Sequence, residues 1–169
     1  MKIAIVYESM TGNTKALAQA IEEALEGENL VYVGGPDQVP EADLYLVGSW
    51  TDKGMCHQGI GEFLQSLKEK KIAYFGTAGF GGSQEYYEML FQRVAQVVDG
   101  SNQLLGSFYC QGKMPAMVRQ RYEKQLQEHP GDPQLQASLE NFDRALSHPD
   151  GEDLDRAKTW AKAMVSLAK

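Results

Sequence analysis

The residues with the clearest chemistry are Ser9-Met10-Thr11-Gly12-Asn13-Thr14, which follow an apolar run, Ile3 to Tyr7, and precede a helical pattern. A helix N-terminus offers unpaired N–H groups and the positive end of its dipole, so an anion belongs at this junction. Ser9, Thr11 and Thr14 add hydroxyls, Asn13 adds an amide donor, and Gly12 permits a tight turn close to the anion. The loop lacks the lysine and spacing of a nucleotide P-loop and lacks the G-x-G-x-x-G of a dinucleotide fold. A cluster of neutral hydroxyls suits a phosphate monoester held by hydrogen bonds.

The elements that must position this loop alternate between short β-rich runs and amphipathic helices. The first strand, Lys2 to Tyr7, is continuously apolar, as expected of a strand buried on both faces. Leu17, Ala20, Ile21, Ala24 and Leu25 follow at helical spacing, and Gly27 stops that helix. Leu30–Val33, Leu44–Val47, Ile72–Phe75 and Leu104–Cys110 read as four further strands. About ten residues, Gly34 to Asp43, separate the second and third, short for a parallel crossover, so one helical turn at most or a plain loop is expected there. Helices carrying Ile60, Phe63, Leu64 and Leu67, and then Tyr87, Leu90, Phe91, Val94 and Val98, lie between the later strands. Repeated β-loop-α units predict an α/β fold: a parallel sheet with helices on both faces. Met114 to Pro149 is polar and helical, broken at His129-Pro130-Gly131-Asp132-Pro133, and reads as an insertion before a closing helix that begins near Gly151.

Two glycine-rich loops complete the predicted ligand face. Gly48 to Gly59 carries Ser49, Trp50, Thr51, Asp52, Lys53 and Gly54. Gly76 to Ser83 carries Thr77, Ala78, Gly79, Phe80, Gly81 and Gly82. Trp50 and Phe80, with Tyr86 in reserve, offer flat π surfaces for a flat ring. Ser49 and Thr51 offer hydroxyl donors.

Ser9 to Thr14 resembles the S/T-x-T-G-x-T phosphate motif of the flavodoxin family, in the family's usual place after the first strand. The resemblance covers Met1 to about Gln111 and the last helix, Asp150 to Lys169. It implies a doubly wound five-stranded sheet of order 2-1-3-4-5, noncovalent FMN at the carboxyl ends of the strands, and one-electron transfer between redox partner proteins. It places the FMN phosphate on Ser9, Met10, Thr11, Gly12, Asn13 and Thr14. The ring falls between the loops Ser49–Gly54 and Thr77–Gly82, with Gly54 as the peptide that responds to the flavin's redox state. The chain departs from the family pattern in having no acidic residue in the second loop before Glu85, and a lysine, Lys53, in the first. Fewer carboxylates near the ring imply a higher low-potential couple. An FMN-dependent reductase or oxidase of a quinone or other small organic substrate is the alternative on the same fold.

Composition narrows the remaining classes. The 169 residues suit a single domain, 43% are apolar, and no stretch approaches the roughly 20 apolar residues of a membrane span. The formal net charge of −7 argues against nucleic acid and anionic membranes and suits docking to a basic patch on another protein. The two cysteines, Cys56 and Cys110, make no CxxC and fit a reducing cytoplasm. Cys110-Gln111-Gly112-Lys113 follows the last strand on the ligand side, as a contact for a partner or as a simple strand end. His57, His129 and His148 are scattered, and the two that precede prolines read as turn residues. The insertion is open to three readings: a docking surface, a lid over the flavin, or an extra helical layer.

Overall fold

A computed structural model describes residues 1–169. Five strands, β1 (Ile3–Tyr7), β2 (Leu30–Gly34), β3 (Leu44–Asp52), β5 (Lys71–Ala78) and β6 (Gln103–Gln111), pair in parallel in the order β2-β1-β3-β5-β6. A short β4 (Met55–Cys56) pairs antiparallel with the end of β3. With that hairpin set aside, the order is the 2-1-3-4-5 predicted above.

The strands explain themselves by their alternation. Ile3, Ile5, Leu44, Leu46, Ala73 and Phe75 face one core layer with α1 (Asn13–Ala24) and α6 (Gly151–Ala168). Ala4, Val6, Tyr45, Val47, Ile72 and Tyr74 face the other with α2 (Gln58–Ser66) and α3 (Gln84–Ala95). Both faces are buried, which is why these strands read as unbroken apolar runs. Val98 lies beyond the end of α3 but still packs on this second layer. Gly34–Asp43 contains no helix, as the short spacing requires.

Two strands run further than the sequence suggests. Leu44–Val47 extends through Asp52, and Ile72–Phe75 extends through Ala78. The segment from Gly48 is therefore not one loop but strand, turn and strand. Lys53 (φ 50°) and Gly54 (φ 77°) form its two-residue tip, with Asp52 paired to Met55. Positive φ at both central residues is the tight hairpin geometry that matches strand twist.

The insertion is a helical hairpin, α4 (Ala116–Glu128) and α5 (Pro133–Ala145). Asp132 caps α5 by accepting from the Gln134 N–H, and Pro133 occupies the first turn, where a missing N–H costs nothing. Arg119 of α4 grips the carboxylate of Asp143 on α5 at 3.0 and 3.2 Å. The excursion closes on itself, because Lys113 N–H donates to the carbonyl of His148 at 3.0 Å. Helix α6 then starts in a capping box: Asp150 and Asp153 each accept from the other's backbone N–H.

Candidate functional site

The loop after β1 is built to leave donors free. Ser9 Oγ accepts the N–H groups of Gly12 (3.1 Å) and Lys15 (3.2 Å), which folds the loop back on the start of α1. Gly12 sits at φ 91°, and a Cβ there would meet nothing within 4 Å, so the backbone conformation rather than space demands glycine. The N–H groups of Met10 and Thr11 have no partner in the protein, and those of Asn13 and Thr14 open the first turn of α1, where no intrahelical acceptor exists. Four donors at the positive end of a helix form an anion cradle.

Asn13 is 6% exposed and its side chain is half used. Nδ2 donates to the Lys113 carbonyl at 2.8 Å, and Oδ1 is buried without a partner. Thr11 Oγ1 lies 3.4 Å from the same carbonyl. Gly112 makes this approach possible, because a Cβ there would lie 2.5 Å from Asn13 Nδ2. The segment after β6 is thus stitched to the anion loop.

Beside the cradle lies a cavity of about 460 Å³ at the carboxyl ends of β3 and β5. Its wall includes Met10, Thr11 and Asn13; Trp50, Thr51, Asp52, Lys53 and Gly54; and Thr77, Ala78, Gly79 and Phe80. The three stretches singled out in the sequence therefore meet around one space. Trp50 stacks on His57 with ring centroids 4.5 Å apart, and His57 Nε2 lies 2.8 Å from a Glu8 carboxylate oxygen. One face of the indole is thus backed by the protein. Thr51 Oγ1 donates to the Thr77 carbonyl at 2.8 Å, tying the two strand ends together. The Gly54 carbonyl accepts from Arg93 Nη1 at 3.3 Å.

Six of the expected residues stand behind this wall rather than in it. Ser9 and Gly12 shape the loop. Thr14 is fully buried, with its hydroxyl 3.4 Å from that of Thr77. Ser49 is also fully buried: as part of β3 it turns inward, donating to the Trp50 carbonyl and accepting the His57 N–H, both at 2.8 Å. Gly81 packs against Gln111, and Gly82 borders a different cleft. Of the six, only Ser49 owes its place to a longer strand, since β3 runs on through Asp52.

The insertion supplies walls that sequence reasoning left open. Met114, Pro115, Met117, Val118 and Arg121 close one side of the cavity. Helix α5 reaches the loop after β5: Asn141 Nδ2 and Gln111 Nε2 both donate to the Gly79 carbonyl at 3.0 Å. In the sequence α4 shows no strong apolar face, and none of its residues is buried, so no signal pointed to this role.

A second cleft, about 600 Å³, lies beyond β6 and includes Tyr87, Cys110, His148, Asp153 and Arg156. Its polar groups satisfy each other. The buried Asp153 carboxylate meets His148 Nδ1 (2.6 Å), the Asp150 N–H (2.9 Å) and Arg156 Nη2 (2.7 Å). Burial pushes the Asp153 carboxyl up, but these partners outweigh it and hold the group below the usual carboxylate range. His148 is therefore an anchor for the returning insertion rather than a turn residue. Cys110 lines this cleft, away from the cavity between the loops, and burial pushes its thiol far up.

A flavodoxin-domain family model matches residues 4–162. The chain belongs to the flavodoxin family. It is 40% identical over 172 residues to the flavodoxin-like domain-containing protein BilS of Clostridium symbiosum, covering 91% of this chain and 90% of that one. It is 32% identical over 174 residues to the protein of the same name from Clostridioides difficile, covering 99% and 98%. Among solved structures, oxidised Flavodoxin 2 from Bacillus cereus shares the fold, with a TM-score of 0.60, 18% identity and 99% of each chain covered. FMN is the cofactor that family membership assigns, and the site fits it: free N–H donors suit the phosphate, and Trp50 and Phe80 border the adjoining cavity. No helix is long and apolar enough to cross a membrane.

Proposed function

We propose that this flavodoxin holds one FMN between the anion cradle and the Trp50–Phe80 cavity and passes electrons between redox partner proteins. The observation that carries this reading is the meeting of a free-donor helix N-terminus with an aromatic cavity at the carboxyl ends of the strands, where a doubly wound sheet binds its ligand. The backbone N–H groups of Met10, Thr11, Asn13 and Thr14 hold the phosphate, and the partnerless Asn13 Oδ1 accepts from a hydroxyl of the ribityl chain. Trp50, backed by His57, and Phe80 flank the ring. The bound flavin supplies the electron-transfer chemistry, so the side chains bind, orient and exclude water. Two free, buried thiols suit a reducing, cytoplasmic setting.

One observation favours a second reading, an FMN-dependent reductase of a quinone or other small organic substrate: α4 closes the cavity on a side from which a substrate pocket could be made. Steady-state assays of the FMN-loaded protein separate the two. The carrier reading expects negligible quinone turnover with NADH or NADPH but rapid electron exchange with one-electron acceptors. Sustained quinone turnover contradicts it.

A further inference from the structure

The sign of charge around the cavity is opposite to that of the protein. The chain carries −7 overall, yet the charged side chains lining the cavity are Lys53, Lys113 and Arg121 against Asp52 alone. The three cations are exposed, come from three separate segments, and form no ion pair. Arg119, two residues before Arg121, shows the contrast: its charge is taken up by Asp143 and Glu123. Among these cations stand large apolar side chains open to solvent, with Met10 60%, Phe80 47% and Met117 66% exposed. An exposed apolar centre with unpaired charge of one sign has the composition of an interaction surface.

From this arrangement, and resting on the reading of the cavity as the flavin site, we infer that the cavity mouth is the docking face for a redox protein whose own contact face carries carboxylates around an apolar centre. Net charge alone points to a basic partner; charge at the mouth points to an acidic one. Steering depends on the charges nearest the contact, because more distant ones are screened within about 8–10 Å at ordinary salt. Phe80, which flanks the ring in that reading, brings the exposed apolar surface to where electrons leave the flavin.

The test uses small ions as stand-ins for partner charge. The FMN-loaded protein is reduced by light with EDTA as electron source, then mixed with ferricyanide, a trianion, or hexaammineruthenium(III), a trication. Each acceptor takes one electron from the reduced flavin. Raising ionic strength from about 0.1 M to about 1 M shortens the screening length from about 10 Å to about 3 Å, so the charges nearest the contact dominate throughout. The proposal expects the ferricyanide rate to fall several-fold and the ruthenium rate to rise. Replacing the three cations together (Lys53→Gln, Lys113→Gln, Arg121→Gln) reverses both slopes. A ferricyanide rate that rises with salt, or no response from either acceptor, overturns the proposal. A second measurement needs no flavin. In the FMN-free Trp160→Phe protein, Trp50 is the sole tryptophan, and iodide should quench it more strongly than caesium. Stronger quenching by caesium refutes the local positive charge, whereas a protein that rejects FMN refutes the flavin reading and leaves this comparison standing.

Discussion

Asn13 Nδ2 donates to the Lys113 carbonyl at 2.8 Å, joining the first turn of α1 to the chain that leaves β6, 100 residues away. This bond fixes the amide orientation, so Oδ1 and not the NH2 group is left for a ligand. Asn13→Asp removes the donor and adds a negative charge beside the phosphate cradle. FMN affinity should fall by more than about tenfold, or about 1.4 kcal/mol, while Asn13→Ala costs somewhat less. Flavin fluorescence titration measures both, and wild-type affinity in the Asp variant contradicts this role.

Trp50 is held by His57, which Glu8 holds in turn. Trp50→Leu should weaken FMN and riboflavin alike, by about tenfold, because it removes a ring contact and no phosphate contact. Asn13→Asp should weaken FMN more than riboflavin. Equal effects of the two variants on the two flavins would deny the division of the site into a phosphate end and a ring end.

The Gly79 carbonyl receives two side-chain N–H groups, from Gln111 and Asn141. Asn141→Leu strips one of them and should cost about 0.5–1.5 kcal/mol, a Tm shift of a few degrees. Since Gly79 borders the cavity, the loss should be larger in the FMN-loaded than in the FMN-free protein. Calorimetry that finds no difference between the two forms argues that α5 does not support the site.

Burial pushes the Cys56 thiol up to about 11 and moves Cys110 further in the same direction. Both should resist a thiol-directed disulfide reagent in the native protein at pH 8 and react at once in denaturant. The linkage has a definite sign. Unfolded thiols lose protons above about pH 8.5, the folded ones keep theirs, and stability therefore falls as pH rises from there. Asp153 works in reverse. Its folded carboxyl titrates below the unfolded value of about 3.9, so its contribution is complete above that pH and is lost as pH falls through the folded value. Asp153→Ala should cost about 1–3 kcal/mol at neutral pH and flatten the acid limb of the stability curve.

The sheet was legible because both of its faces are buried, so Ile3–Val6, Leu44–Val47 and Ile72–Phe75 are apolar without interruption. The anion loop was legible because its donors are local to six residues. The hairpin after β3 was not, since Lys53 stands where asparagine or aspartate usually marks a turn with positive φ. Ser49 turns inward because β3 continues through it, paired with Gly76 of β5. The walls formed by Met117, Val118 and Arg121 were hidden for a different reason: α4 is mostly polar and buries none of its residues, and only tertiary packing reveals what it covers. His148 looked like a turn residue because its partner, Asp153, is defined by the start of α6 and not by local sequence.

If the cradle and cavity together hold one FMN, titration of the FMN-free protein with FMN, followed by quenching of flavin fluorescence, shows it. Binding should saturate at one FMN per chain, with riboflavin weaker because it cannot use the four free N–H groups at the start of α1. No quenching, or equal affinity for FMN and riboflavin, would contradict it.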